Sequence, residues 1–309
     1  MSFSMEVKQE LFEILSPARH CKIAELSALF SGCGKIDIDK SGQLHIKLQT
    51  ESEYVARKSN LLLNRLGIFP EHVSVRTVRN RGNHTVFVLE LYGKTAQKVL
   101  ELLKLVPQGN GAMRSDGVVT MNTCCKRAFL RGGFLSAGSV SNPQKSYHYE
   151  ISEQDGQRAG QLAELIGSFG VEAKTIVRKS YHVVYVKEGQ QIAELLNIME
   201  AHKALMRFEN ERIVKEVRNS VNRQVNCETA NLEKTANAAR KQYEEIILIR
   251  DTVGLQALDE NLEEIALLRL ENPEASLVEL GELLSPKLGK SGVNHRLKKI
   301  SEFAENLRR

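Results

Sequence analysis

One segment of this chain is written twice. Residues 21–36 read CKIAELSALFSGCGKI, and residues 125–140 read CKRAFLRGGFLSAGSV. The two align without a gap at a spacing of 104 residues, so that Ala24 matches Ala128, Leu26 matches Leu130, Phe30 matches Phe134 and Gly34 matches Gly138. Each copy reads as a helix of small and apolar residues that stops at glycine. Small side chains let two helix backbones approach closely, so a two-fold-related helix pair is the expected product. A match at one fixed period sets the architecture before any other signal does.

The correspondence continues past the helix. Residues 42–48 (GQLHIKL) match 145–151 (KSYHYEI), with His45 against His148. Residues 51–68 and 154–171 both read as amphipathic helices that stop at Gly67 and Gly170, where glycine takes the left-handed conformation that ends a helix. Two β-rich runs follow in each copy, 73–79 with 85–92 and 174–178 with 181–187, and each copy closes on a helix at 94–105 or 189–199. The fold expected is α+β, a duplicated αββαββα domain followed by an all-α helix–turn–helix domain. Residues 1–203 would form the duplicated part, with repeats at about 21–105 and 125–199. Residues 204–226 would be a linker, helical or flexible, and 227–309 the helical domain.

With 309 residues, 42% of them hydrophobic, the chain is long enough for two or three cores. A net charge of +5 permits nucleic-acid binding without requiring it. The sequence has no apolar run of membrane-spanning length and no basic-then-apolar leader, so a cytoplasmic, nucleoid-associated protein without membrane contact is expected. The five cysteines are odd in number and contain no CxxC pair, which speaks against a disulfide framework or a zinc site. No cofactor and no metal are expected.

Beyond residue 205 strand signals vanish. Helices are expected at 227–239, 240–253 and 260–271, the first capped by Thr229 and the last stopping before Pro273. Ser276-Leu-Val-Glu279 is a capping box, in which hydroxyl and carboxylate each satisfy the other's backbone N–H. A tight break at 285–289 leads to a last helix from about Ser291, with Val293, Leu297, Ile300, Ala304 and Leu307 on one face. Helix, short turn, helix is the arrangement that lays a second helix in the major groove. The polar face of that helix carries Lys290, Ser291, Asn294, His295, Lys298 and Lys299, the expected DNA-binding residues. Asparagine can pair with adenine through two hydrogen bonds. Lysine can donate to guanine or phosphate, and a helix start suits a phosphate oxygen.

The doubled helix resembles the LAGLIDADG motif of homing endonucleases, on Leu26–Gly34 and Leu130–Gly138. In that family the motif helices form the interface between half-domains, and two sheets form a saddle over DNA. Family nucleases carry a carboxylate just before the final glycine of each motif, to hold divalent ions. Cys33 and Ala137 stand there in this chain. Asp37 and Asp39 lie downstream in the first copy only, facing Ser141 and Pro143 in the second. The departure predicts no catalytic residues and no enzyme activity. Such a domain followed by a helix–turn–helix resembles the WhiA transcriptional regulators of Gram-positive bacteria over nearly the whole chain. The most specific segments are residues 129–140 (FLRGGFLSAGSV), 147–151 (YHYEI) and 272–307. The resemblance implies a sequence-specific regulator of sporulation or cell division that binds promoter DNA, with other regulators or RNA polymerase as further partners. Since the internal two-fold supplies the symmetry a dimer would bring, a monomer is expected. The alternatives are an active endonuclease, or a ligand- or protein-docking module on the same scaffold. The sheets carry basic residues, Arg76, Arg79, Arg81, Arg178, Lys179 and Lys187, which form either a second surface for DNA or a solvated face.

Overall fold

The computed structural model describes residues 2–39, 42–78 and 84–308. Arg79 and Arg81 therefore lie outside the described residues. The chain divides into two compact units, Met1–Lys215 and Glu216–Arg309.

The first unit opens on α1 (Phe3–Glu13), whose N-terminus is capped by the Ser2 hydroxyl. The first repeat follows as α2 (Arg19–Cys33), β1 (Gly34–Ile38), β2 (Leu44–Thr50), α3 (Glu53–Arg65), β3 (His72–Val78), β4 (His84–Tyr92) and α4 (Gly93–Leu103). A small hairpin, β5 (Leu105–Pro107) with β6 (Met113–Ser115), precedes the second repeat. That repeat runs α5 (Thr123–Ala137), β7 (Gly138–Val140), β8 (Tyr149–Glu153), α6 (Gly156–Gly167), β9 (Lys174–Arg178), β10 (Tyr181–Val186) and α7 (Gly189–Ile198). The element order is the expected αββαββα in both copies. Each copy builds one antiparallel sheet, ordered β1-β2-β4-β3 and β7-β8-β10-β9. Alternation along β8, where Tyr149, Ile151 and Glu153 are buried and their neighbours less so, fixes which face meets the helices. Gly67 and Gly170 have φ of +74° and +83°, the left-handed turn expected of them. Gly34 and Gly138 differ. Their φ is ordinary, but a Cβ on Gly34 would lie 2.4 Å from the Phe30 carbonyl oxygen, and one on Gly138 2.3 Å from the Phe134 ring.

Helices α2 and α5 pack against each other along their small residues. A Cβ added to Gly132 would lie 2.4 Å from the Glu25 carbonyl oxygen and 2.9 Å from Ala28 Cβ; one on Gly32 would lie 2.6 Å from Ser136 Oγ. Ala28 with Gly132 and Gly32 with Ser136 are equivalent positions of the two copies. Residues that meet their own equivalents lie on the pseudo-two-fold axis, so the axis passes between these pairs. Leu26, Leu29, Phe30, Leu130, Phe134 and Leu135 are fully buried around it. Each such side chain contributes about 1.5–3 kcal/mol of burial.

An ionic chain crosses this apolar interface. Glu25, Lys58 and Arg131 are 0%, 0% and 1% exposed. Lys58 Nζ lies 3.2 Å from Glu25 Oε1, and Arg131 lies 3.3 Å from Glu25 Oε2 while also meeting Glu200. Lys58 donates to the carbonyls of Leu11, Phe12 and Ile14, which ties the end of α1 to α3. Burial lowers the Lys58 pKa, and Glu25 opposes that shift.

Helix α8 (His202–Thr252) contributes to both units. Two helices were expected at 227–239 and 240–253, with a linker at 204–226. The linker and both helices, as far as Thr252, lie inside this one helix, and Thr229 sits in its interior instead of at a cap. The reason is local: no glycine or proline interrupts residues 202–252. Pairs such as Arg240–Glu244 at 2.9 Å support its solvated face. In the second unit α8 is followed by a 3-10 turn at Leu255–Ala257, then α9 (Glu260–Glu271), α10 (Leu277–Leu283) and α11 (Lys290–Leu307). Ile246, Ile249, Ile265, Leu280, Val293, Leu297 and Ile300 form its core.

Candidate nucleic-acid interface

The turn before α10 is held from inside. Arg269, 1% exposed, donates to the carbonyl oxygens of Asn272 and Ala275 at 3.3 and 2.6 Å. Burial lowers its pKa. This fixes the segment that delivers the capping box. Glu279 N–H donates to Ser276 Oγ at 3.3 Å, and Ser276 N–H donates to the Glu279 carboxylate at 2.6 Å, which holds that carboxyl below its usual range. Gly281 then lets the chain turn back. The Leu288 N–H reaches the Gly281 carbonyl at 3.0 Å, and a Cβ on Gly281 would meet the Leu288 oxygen at 2.0 Å.

Helix α11 packs through Val293, Leu297, Ile300 and Ala304, all buried. That leaves Lys290, Ser291, Asn294, His295, Lys298 and Lys299 exposed together on its outer side. Its N-cap is Gly289, which offers no side-chain acceptor, so the first N–H groups have no capping partner from that residue. A groove of about 300 Å³ beside this helix start is lined by Lys234, Gln242, Ser276, Val278, Lys290 and Asn294, among others. Lys234 and Gln242 were not foreseen; eight residues apart on α8, they share a face. Arg296 faces inward instead, donating to the Asn261 side chain at 3.1 Å and tying α11 to α9. Lys298 has a weak neighbour in Glu302 at 3.9 Å.

The ends of the motif helices carry different chemistry. Cys33 closes α2, and burial pushes its thiol up to about 11, with Glu153 adding to the rise and Arg158 and Lys8 opposing it. Ala137 closes α5. The buried carboxylate near this end, Glu153, is paired with buried Arg158. Burial pushes the Glu153 carboxyl up to about 7 against the pull of that guanidinium. Lys8 reaches in from α1, 5.9 Å from the Phe134 ring centroid, its pKa lowered by burial. Lys8 and the Glu153–Arg158 pair thus surround the end of α2 at Cys33.

Each sheet carries a His–Arg–Glu–Tyr cluster, with the carboxylate on β4 in the first and on β8 in the second. Glu90 lies 3.6 Å from both His45 and Arg76, and His45 stacks on Tyr92 at 4.4 Å. In the other sheet Glu150 lies 2.9 Å from His148 and 3.5 Å from Arg178, and His148 stacks on Tyr185 at 6.0 Å. Arg76 and Arg178 are exposed but already face carboxylates. Lys187 sits over the Tyr185 ring at 5.4 Å, and Lys179 holds a turn at φ +56°.

Comparison with known proteins connects both units to one family. Residues 19–106 match the WhiA N-terminal LAGLIDADG-like domain, 126–218 the WhiA LAGLIDADG-like domain, and 221–304 the WhiA C-terminal HTH domain. A protein of Lachnoclostridium phytofermentans named probable cell division protein WhiA is 52% identical over 313 residues, covering 100% of both chains. The chain belongs to the WhiA family. A second WhiA relative, from Alkaliphilus oremlandii and of the same name, is 49% identical over 99% of this chain and 98% of its own. The crystal structure of full-length DUF199/WhiA from Thermatoga maritima is similar at a TM-score of 0.60 and 27% identity, covering 99% of each chain. Among the described residues, no helix is long and apolar enough to cross a membrane.

Proposed function

We propose that this WhiA-family chain is a sequence-specific regulator of transcription that reads double-stranded promoter DNA through α11. Its role lies in cell division or sporulation, and its duplicated domain is catalytically inactive. The observation that carries the reading is the common outward face of Lys290, Ser291, Asn294, His295, Lys298 and Lys299 on the second helix of a capped helix–turn–helix. In that geometry Asn294 and His295 reach base edges, and Lys298 and Lys299 reach phosphates or guanine. Lys290 and Ser291, with the uncapped N–H groups of α11, hold a backbone phosphate. Lys234 extends the same basic rim.

Catalytic inactivity is supported by Cys33 and Ala137 at the motif ends, with Lys8 and the Glu153–Arg158 pair beside them. The curated relatives are named for cell division, which favours that role here. Other regulators or RNA polymerase are the partners such a factor would meet in the cytoplasm, at the nucleoid. Asn294→Ala and Lys298→Ala should each weaken specific binding by about 1–3 kcal/mol, read by gel shift on a footprinted promoter fragment. Full affinity with both residues changed refutes the assignment. Plasmid cleavage that requires Mg²⁺ or Mn²⁺ and stops with chelator refutes the inactivity.

A further inference from the structure

The first turns of α2 and α5 bring together three thiol sulfurs and one imidazole nitrogen. His20 and Cys21 stand in the first turn of α2, and Cys124 and Cys125 in the first turn of α5. They are equivalent positions of the repeat, His20 with Cys124 and Cys21 with Cys125. The pseudo-two-fold that joins the helices therefore also brings their four side chains to one point. His20 Nδ1 lies 3.1 Å from Cys125 Sγ, 3.4 Å from Cys21 Sγ and 4.0 Å from Cys124 Sγ. All four ligand atoms lie within 4.8 Å of one another. A tetrahedral ion with Zn–S near 2.3 Å and Zn–N near 2.0–2.1 Å needs N···S edges of about 3.5 Å and S···S edges of about 3.8 Å. The observed N···S distances bracket that requirement.

From this juxtaposition we infer that His20, Cys21, Cys124 and Cys125 form a structural Cys₃His zinc site that clamps the two motif helices together at their N-terminal ends. Three thiolates and an imidazole select zinc over magnesium or calcium, which take oxygen ligands. Four protein ligands fill the coordination sphere, the mark of a structural rather than a catalytic ion. Charge fits the location. Zn²⁺ with three thiolates and a neutral imidazole carries a net charge of about −1, and it would sit at the positive ends of two helix dipoles. Binding converts three thiols to thiolates and releases three protons to solvent, with no change of oxidation state. Cys21 and Cys125 are buried, while His20 and Cys124 face outward, which gives the ion a path of entry. The missing CxxC spacing is no obstacle, because the duplication supplies the pairing that a single knuckle takes from local sequence.

The test uses the full chain, purified under reducing, anaerobic conditions. Elemental analysis should give one zinc per chain. Replacement by Co²⁺ should give the visible bands of tetrahedral cobalt together with thiolate-to-cobalt charge transfer. Chelation should lower the unfolding temperature of the duplicated domain. Cys124→Ser and His20→Ala change exposed side chains, so folding should survive them. Each should weaken Co²⁺ binding by about 100-fold or more, since loss of even an outer-shell partner costs about 10–100-fold. Cys33→Ser and Cys227→Ser should leave the spectrum unchanged. The inference is overturned if five free thiols titrate with no metal bound and no cobalt spectrum forms. A disulfide among Cys21, Cys124 and Cys125 overturns it as well, as does metal binding that survives both Cys124→Ser and His20→Ala.

Discussion

Glu25→Ala probes what the buried ionic chain contributes. The substitution removes the one carboxylate that faces both Lys58 and Arg131, at 3.2 and 3.3 Å, in an interface where all three are shut from water. Removing one partner of a buried pair costs about 3–5 kcal/mol, because the charge left behind keeps its desolvation penalty. Here two charges remain. Lys58 keeps three carbonyl acceptors, and Arg131 keeps Glu200 and Ser16, so both retain hydrogen bonds and the cost stays within that range. For a domain of roughly 200 residues, 1 kcal/mol moves the melting temperature by about 2–4 °C, which places the expected drop near 10 °C. Calorimetry and urea titration of the full chain measure it, following the transition of the duplicated domain. A double-mutant cycle with Lys58→Met isolates the pairing, since coupled residues lose less together than the sum of their separate losses. A loss below about 1 kcal/mol with additive single changes would refute the view that the chain is an integrated network.

Three further outcomes follow. Gly132→Val drives a side chain into the Glu25 carbonyl and should destabilise the duplicated domain by about 3 kcal/mol or more, measured by urea midpoint, while Gly160→Ala, which has open space, should not. The Glu153 carboxyl titrates near 4.5 when unfolded and about 7 when folded, so the folded state holds a proton that the unfolded state releases between those values. Stability should therefore fall as pH rises from 4.5 to 7, by at most about 1.4 kcal/mol per unit, and level off above; Glu153→Gln should flatten that slope in pH-dependent denaturation. Arg76→Glu with Arg178→Glu should leave the salt slope of promoter binding unchanged, because each arginine already faces a carboxylate; a slope reduced by about 2 would show that the sheets touch phosphates.

The repeat was legible because small residues are legible: Gly32 and Gly132 mark the close approach of the two helices, and Gly34 and Gly138 mark where each helix ends against its own phenylalanine. The capping box at Ser276 and the left-handed Gly67 and Gly170 were readable because each is a local rule with a fixed residue type. The outward set on α11 was readable by subtraction, once Val293, Leu297 and Ile300 claimed the inner face. Long-range partners were not readable. Lys58 looks like an ordinary polar position of an amphipathic helix, and only the end of α1, which the repeat does not include, supplies its carbonyl acceptors. Ser115 bonds to Ser27 at 2.6 Å and Ser31 at 2.7 Å across a hairpin that has no counterpart in the second copy. The continuity of α8 was hidden by a highly charged surface that resembles a tether. The convergence of His20 with three cysteines needs the helix pairing to be visible at all.

Because Glu25 corresponds to Phe129 and Arg131 to Ser27, the two halves have drifted into complementary roles. Two copies of the first half would set Glu25 against a serine, and two copies of the second would bury Arg131 against phenylalanine. A chain severed between Leu103 and Thr123 should therefore rejoin only as unlike fragments, each useless to its own twin. Gene duplication here has ended in a lock whose key is cut from the other strip of the same metal.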